Sequence, residues 1–342
     1  MTYLNYQDKY LPLELYAATV VDVCIARGVN INKLLRGTGV FKADIIKGEH
    51  ASPSQILRLF NNAQALTPGY DCAFQIGRRL AANQQNTVMQ ALHYSRSFEE
   101  SLRLVTLFEN ICSPFIAATF IKQNGSGYWL LKQKLGLGKL EQFVMEIFCT
   151  ALVSLSQHVL GHRIKFHFGF QWQKPKQIQE YEENLGYRTY FEQPANVIAV
   201  QWSSLAKSNI NRNDLLKRHA IHKANELVMC KLSLLEHVRY LIAGSPIAPL
   251  PQIAEQLKTS PATLKRKLKE HGSSFKQLHD EVRKHQAIHC LILQGLNNEQ
   301  SALLMDISDA TNFRRSIKRW TGYTPSELKK TCDFLPLIVL PS

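Results

Sequence analysis

One pattern occurs twice between Leu250 and Lys330. The first copy runs from Ile253 to Gly272 (IAEQLKTSPATLKRKLKEHG) and the second from Ser301 to Gly322 (SALLMDISDATNFRRSIKRWTG). Each begins with a short apolar stretch around an alanine (Ala254, Ala302) and breaks briefly. Each then offers a serine as a helix cap (Ser260, Ser308) and continues as a basic segment that stops at a glycine. A capped helix following a short helix and a tight turn, in duplicate, predicts two helix-turn-helix units at 253–272 and 301–322.

Helical geometry sharpens that reading. At about 100° per residue, Ala262, Lys265, Arg266 and Lys269 share one face of the first basic helix, while Leu264 and Leu268 share the other. In the second, Thr311, Arg314, Arg315 and Lys318 share a face opposite Phe313, Ile317 and Trp320. An apolar floor under a basic roof is what a helix lying in a major groove needs. Between the copies, Phe275 to Gln294 has partial helical periodicity at Val282, Ile288, Leu291 and Ile292. A helix of that length is a rod of about 30 Å, close to the ~34 Å turn of B-DNA. Such a rod would hold two recognition helices in successive grooves on one DNA face.

The stretch from Leu250 to Lys330 resembles the DNA-binding domain of AraC/XylS-type bacterial transcription regulators. The residues that carry the resemblance are FRRSIKRWTG, Phe313 to Gly322, followed by Thr324, Pro325, Ser326 and Glu327. The family's second unit usually has Ile-Ala and then a Gly-Phe turn, where this chain has Ser301-Ala302 and Asp306-Ile307. An aspartate in a left-handed turn costs some stability relative to glycine. The resemblance implies Thr263, Lys265 and Arg266 as base readers in the first helix, and Asn312, Arg314 and Arg315 in the second. Arginine reads guanine bidentately and asparagine can read adenine. Backbone amides after Ser260 and Ser308 would meet phosphates, joined by Lys269, Lys318 and Arg319.

Composition bounds the remaining possibilities. The chain has 342 residues, a net charge of +14 and an apolar content of 45%, enough for two domains and basic enough to expect a polyanionic partner. Only part of the excess lies in the repeat, where 14 basic residues face 8 acidic ones. The start, MTYLNYQDKY, is polar, and no signal segment or membrane span is expected. The 7 cysteines are scattered with no CxxC pair, which fits a reducing cytoplasm.

Residues 1–110 read as mostly helical, with Ser52 and Pro53 opening one helix and Ser97 with Glu100 forming a capping box before another. Asn124-Gly125-Ser126-Gly127 predicts a hairpin. Gly138 to Gly161 reads as a long core helix. Ile164, Phe166, Phe168 and Phe170 alternate with Lys165, His167 and Gln171 as a half-buried strand. The order of elements, with GYDCAFQIGRRL and SFEESLRLVTLFENIC, resembles the effector-type domain of the ornithine-utilisation-regulator-like subgroup, which carries an "arabinose-binding" label without implying that sugar. The expected architecture is mainly α with a small β-sheet. An α+β effector-sensing and dimerisation domain (1–224) precedes an all-α DNA-binding domain (225–332) and an apolar tail (333–342).

Other chemistries fit less well. His158 and His162, and His285 and His289, have zinc-compatible spacing but lack a third ligand, so no metal is expected. No GxSxG, GxxxxGK[ST] or HExxH motif is present, and neither catalysis nor a cofactor is expected. Cys24 and Cys72 stand far apart in sequence, unlike the clustered cysteines of an alkyl-transfer enzyme. The expected function is a sequence-specific regulator, an activator by the resemblance. Its expected partners are double-stranded promoter DNA, a small-molecule effector, RNA polymerase and a second copy in a homodimer, with no membrane. Phe143, Phe148, Leu152, Phe166, Phe168 and Phe170 are the candidate effector-pocket residues. The alternative is an effector-independent architectural protein that coats DNA through charge, with binding indifferent to sequence and steeply salt-dependent.

Overall fold

The computed structural model describes residues 3–225, 231–332 and 335. A short strand, β1 (Leu11–Pro12), pairs antiparallel with β2 (His50–Ala51). Around them run α1 (Tyr16–Ala26), α2 (Ile31–Leu35), α3 (Lys42–Ile46), α4 (Pro53–Leu66), α5 (Cys72–Ala82), α6 (Thr87–His93), α7 (Phe98–Leu107) and α8 (Glu109–Cys112). The Ser52 hydroxyl caps α4, with Gln55 returning the bond and Pro53 inside the first turn. Ser97 likewise caps α7. The expected reciprocal box does not close there: the Glu100 carboxylate accepts from the Arg96 amide instead, and pairs with Lys217 at 2.8 Å.

The hairpin forms as the turn residues dictate. Strands β3 (Ile116–Gln123) and β4 (Ser126–Gln133) pair throughout, and Asn124 and Gly125 sit at φ 47° and 77°. Two successive positive φ values are what a two-residue turn between right-twisted strands requires. Then come α9 (Glu141–Leu160), β5 (His167–Gly169), α10 (Ile178–Asn184), β6 (Thr189–Tyr190), β7 (Val197–Gln201) and α11 (Asp214–Ala224). The sheet order is β3-β4-β7-β5-β6. Helix α9 is long and apolar enough to cross a membrane, yet it is mostly buried as the core helix of this domain, packed on α5.

The C-terminal part is helical: α12 (Leu234–Gly244), α13 (Leu250–Gln256), α14 (Pro261–Glu270), α15 (Phe275–Ile288), α16 (Asn298–Leu304), α17 (Ala310–Thr321) and α18 (Pro325–Thr331). A π-helical turn, His289–Leu293, extends α15. Leu278 and Val282 of α15 enter one core with α12, α13 and α14. Ala287 and Ile288 enter a second core with α16, α17 and α18. One helix therefore belongs to both cores and fixes the two helix-turn-helix units relative to each other. The expected boundary at 225 adjoins residues 226–230, which lie outside the described residues, as does the expected tail except for Leu335.

The sheet separates two buried regions. Strand alternation sends Trp129, Leu131 and Ile198 toward α9, and Tyr128, Leu130, Val197 and Ala199 into the second C-terminal core. The Tyr128 hydroxyl donates to the Leu335 carbonyl at 3.0 Å. This arrangement corrects the half-buried strand expected around His167. Phe166, Phe168 and Phe170 are fully buried, but His167 on the opposite face is buried too, because the sheet is covered on both sides. Elsewhere the two parts meet through backbone. The Leu4 amide donates to the Leu232 carbonyl at 2.9 Å and the Gly136 amide to the His271 carbonyl at 2.7 Å. Arg239 of α12 bridges Glu281 at 2.7 Å and the Gln133 carbonyl at 2.8 Å.

Candidate nucleic-acid interface and effector cavity

The first unit is built as its residues suggest. Helix α13 ends in a turn with Lys258 at φ 51°, closed by the Thr259 amide donating to the Ala254 carbonyl at 3.0 Å. The Ser260 hydroxyl then accepts from the Thr263 amide at 3.1 Å and starts α14. Leu264 and Leu268 are buried beneath it. Ala262, Lys265, Arg266 and Lys269 are exposed, and Thr263 is half-buried. Arg266 pairs with Glu270 one turn on, at 2.5 Å, an exposed bond that a stronger acceptor can displace.

The second unit repeats this plan with a longer turn. Asp306 takes φ 51°, the left-handed position read from the sequence, and the Ile307 amide donates to the Ala302 carbonyl at 2.9 Å. The expected cap, Ser308, is not the cap. Asp309, one residue later, accepts from the Asn312 amide at 2.8 Å and starts α17, while the Ser308 hydroxyl donates to Asp309. Both residues are good caps, and the turn length chose between them. Counted from the caps, Ala262, Thr263, Lys265, Arg266 and Lys269 stand where Thr311, Asn312, Arg314, Arg315 and Lys318 stand.

Thr311, Asn312, Arg314, Arg315, Lys318 and Arg319 are all exposed, over buried Phe313, Ile317 and Trp320. The Arg319 guanidinium lies 5.4 Å from the centre of the Trp320 ring. The Asn312 amide nitrogen is held by the Asp309 carboxylate at 2.7 Å. That carboxyl sits below the usual range, chiefly because it accepts from the Asn312 backbone amide. Helix α17 thus begins with a negative charge where α14 begins with a neutral hydroxyl.

The histidine pairs do not converge on a third ligand. His285 is buried at the joint between the two parts, and burial, then Lys132, Lys284 and Arg239, push its pKa well down. His158 stacks on His93 at 5.5 Å. Among the described residues no cluster of three or more metal-ligating side chains occurs. Cys24 and Cys72, distant in sequence, meet where α1 crosses α5. Interaction between the two buried thiols lowers the Cys24 pKa and pushes that of Cys72 up, and Cys24 also shares a hydrogen bond with the Thr67 hydroxyl at 3.4 Å.

The α+β part contains a cavity of about 620 Å³, within the range of small-molecule sites, about 300–1,000 Å³. One wall is α9, through Val144, Ile147, Phe148, Ala151, Leu152 and Leu155; the facing wall is the sheet, through Ala118, Phe120, Trp129, Leu131 and Ile198. Tyr16, Phe60, Leu80, Met89 and Leu92 line the floor, and Arg103, Thr106, Lys122 and Trp202 also line the cavity. Of the six candidate pocket residues, Phe148 and Leu152 line the space. Phe143 instead packs on Phe60, and Phe166, Phe168 and Phe170 stack into the solid core beside Trp172 and Tyr181. Alternation identified their face but not where packing leaves a void. The β3 residues Ala118, Phe120 and Lys122, which share a strand face, were missed, although their spacing carries that signal.

The family profile described as the arabinose-binding domain of AraC transcription regulators, N-terminal, matches residues 28–209, and a helix-turn-helix domain profile matches residues 253–331. The ornithine utilization regulator of Pseudomonas aeruginosa is 24% identical over 340 residues, covering 96% of this chain and 98% of that one. The regulator VirS of Mycobacterium tuberculosis is 36% identical over 77 residues, 22% of this chain and 23% of that one. Among solved structures, the transcriptional regulator CdpR of Pseudomonas aeruginosa is matched with a TM-score of 0.34 and 17% identity, covering 80% of this chain and 96% of that one. Matched over more than half its length by the N-terminal profile, and at its helical end by the helix-turn-helix profile, the chain belongs to the AraC family of transcription regulators.

Proposed function

We propose that this protein reads promoter DNA sequence with α14 and α17 in successive major grooves, and that a small molecule in the N-terminal cavity controls the response. The observation that carries the reading is that two exposed basic helix faces are anchored to the two ends of one helix, α15, through separate cores. The helix and its π-helical extension span 19 residues, 275–293, or about 28 Å, near one turn of B-DNA. Lys265 and Arg266 are the expected base readers of the first unit, with Thr263 beside them. Arg314 and Arg315 take that role in the second, and Asn312 joins them once it leaves Asp309. Lys269, Lys318 and Arg319 meet phosphates, as do the helix starts at Ser260 and Asp309, the latter less favourably because of its charge.

Control runs through the sheet. A ligand against Trp129, Leu131 and Ile198 presses on strands whose other face, Tyr128, Leu130, Val197 and Ala199, packs on the second DNA-binding core. A change in strand position on one side is then a change in domain docking on the other. Activation, contact with RNA polymerase, dimerisation and a cytoplasmic location belong to this proposal by family resemblance.

The test is selection of bound duplexes from a random pool, with Lys265→Ala/Arg266→Ala alongside. The expected result is a site of two short blocks about one helical turn apart, with the first block lost in the variant. An unenriched pool bound equally by both proteins, with a steep salt dependence, would replace this reading with charge-driven coating.

A further inference from the structure

We infer that the N-terminal cavity takes an amphiphile with an apolar chain and a single anionic head, of the class of a medium- or long-chain monocarboxylate, rather than a sugar or an amino acid. This rests on the reading of the cavity as the effector site.

The chemistry of the walls excludes polar ligands. Most side chains facing the space are apolar, and the polar ones other than Lys122 are engaged within the protein. The Tyr16 hydroxyl donates to the Ile111 carbonyl at 2.6 Å, and the Thr106 hydroxyl to the Leu102 carbonyl at 3.1 Å. Ser113 donates to the Ile116 carbonyl. Glu109 is paired with the buried Lys134 at 2.9 Å. A sugar would bury hydroxyls against methyl and ring carbons with no partner, and an amino acid would bury two charges. An apolar chain loses nothing there and gains by leaving water.

The charges of the lining fix the head. Arg103 is held by Glu99 one turn earlier on α7, at 2.5 Å. Lys122, on the same strand face as Ala118 and Phe120, has no carboxylate partner among the described residues. Its ammonium lies 4.3 Å from the centre of the Trp202 ring, against which Phe120 also packs at 5.4 Å. Lys122 is exposed and the apolar lining is mostly buried. One unpaired cation where the cavity meets solvent, backed by aromatic rings, matches one carboxylate with its chain directed inward.

The experiment is a binding series read by tryptophan fluorescence, since Trp129 and Trp202 both line the cavity. Sodium hexanoate, octanoate, decanoate and dodecanoate are compared with 1-decanol, decylamine, L-arabinose and L-ornithine on the full chain, each followed by binding to the selected DNA. Affinity should rise about three- to fourfold per methylene and then level off when the space is full. Decanoate should bind more tightly than decanol, and decylamine least. Lys122→Met, at an exposed strand position, should remove most of the carboxylate preference while retaining the chain-length slope. Ala151→Trp should abolish binding of the whole series, with the thermal transition showing that the protein is folded. Equal binding of decanol and decanoate would overturn the head-group assignment. If no carboxylate binds while arabinose or ornithine changes DNA binding, the ligand class is wrong and the effector reading stands. If decanoate binds but leaves DNA binding unchanged, the ligand class stands and the effector reading falls.

Discussion

Gly136→Ala isolates the contact between the two parts of the molecule. Gly136 follows β4, and Gly272 ends the first recognition helix; their backbones touch. A Cβ on Gly136 would lie 2.4 Å from the Gly272 carbonyl oxygen and 2.7 Å from its Cα, where carbon contacts need about 3.5 Å. Gly136 has no positive φ, so alanine is not strained by its own backbone. The collision falls entirely on the contact, and the two chains must part by about 1 Å. That costs roughly 1–3 kcal/mol as overpacking. It also breaks the bond from the Gly136 amide to the His271 carbonyl, 2.7 Å long, a net loss of about 1 kcal/mol. The sum, about 2–4 kcal/mol, shifts the docked arrangement by roughly 30- to 700-fold. Amide hydrogen exchange reads this directly. Peptides spanning 133–137 and 271–275 should lose protection in the variant, while those from the α5–α9 core should not. Gly244→Ala, where nothing lies within 4 Å of the new Cβ, is the control. Unchanged protection in Gly136→Ala would refute the close approach and, with it, the docking described above.

Three further outcomes follow from the same geometry. Asp309→Ala removes the cap of α17 and should cost about 1 kcal/mol, within the 0.5–2 typical of caps, read as a lower denaturation midpoint; Asp309→Ser should recover most of it and, by removing a negative charge beside the DNA, bind DNA more tightly. The buried His93, His167, His271 and His285 all have pKa values pushed below the ordinary 6.5, chiefly by burial, His167 to about 4. The unfolded chain therefore takes up protons that the folded one refuses, so their contribution is complete above pH 6.5 and is lost progressively toward pH 4. Urea midpoints should fall across that window, and His285→Gln should flatten the slope. Lys269→Gln and Lys318→Gln should each reduce the slope of log affinity against log salt by about 1 without changing the preferred sequence.

Local signals were legible wherever the chemistry is local. Ser52 and Ser260 cap their helices, Asn124 and Gly125 turn the hairpin, and Asp306 occupies the left-handed turn position, because each depends on a few neighbouring residues. The duplicated apolar floor at Leu264 and Leu268 and at Phe313 and Ile317 was legible for the same reason. What the sequence concealed is set by contacts distant along the chain. Periodicity placed Phe166, Phe168 and Phe170 on one face, but only the packing of Tyr181 and Trp172 against Phe170 fills their surroundings, leaving the void beside Phe148 and Leu152. His167 and Tyr128 alternate as solvent-facing residues would, and they are buried because another part of the chain covers that face. The meeting of Cys24 with Cys72, and of Gly136 with Gly272, has no sequence signature at all.

Most direct for the central claim is the spacing between the two DNA blocks. Once a selected site is in hand, about 5 and about 10 base pairs, half a turn and one turn, are inserted between its blocks, and affinity is measured at fixed salt. Two recognition helices fixed on α15 cannot follow a half-turn rotation. The half-turn insertion should reduce binding to that of a single block, and the full-turn insertion should do the same, because the distance is then too long. Affinity unchanged by either insertion would contradict the account, since it would mean that the two units do not read DNA as one rigid body.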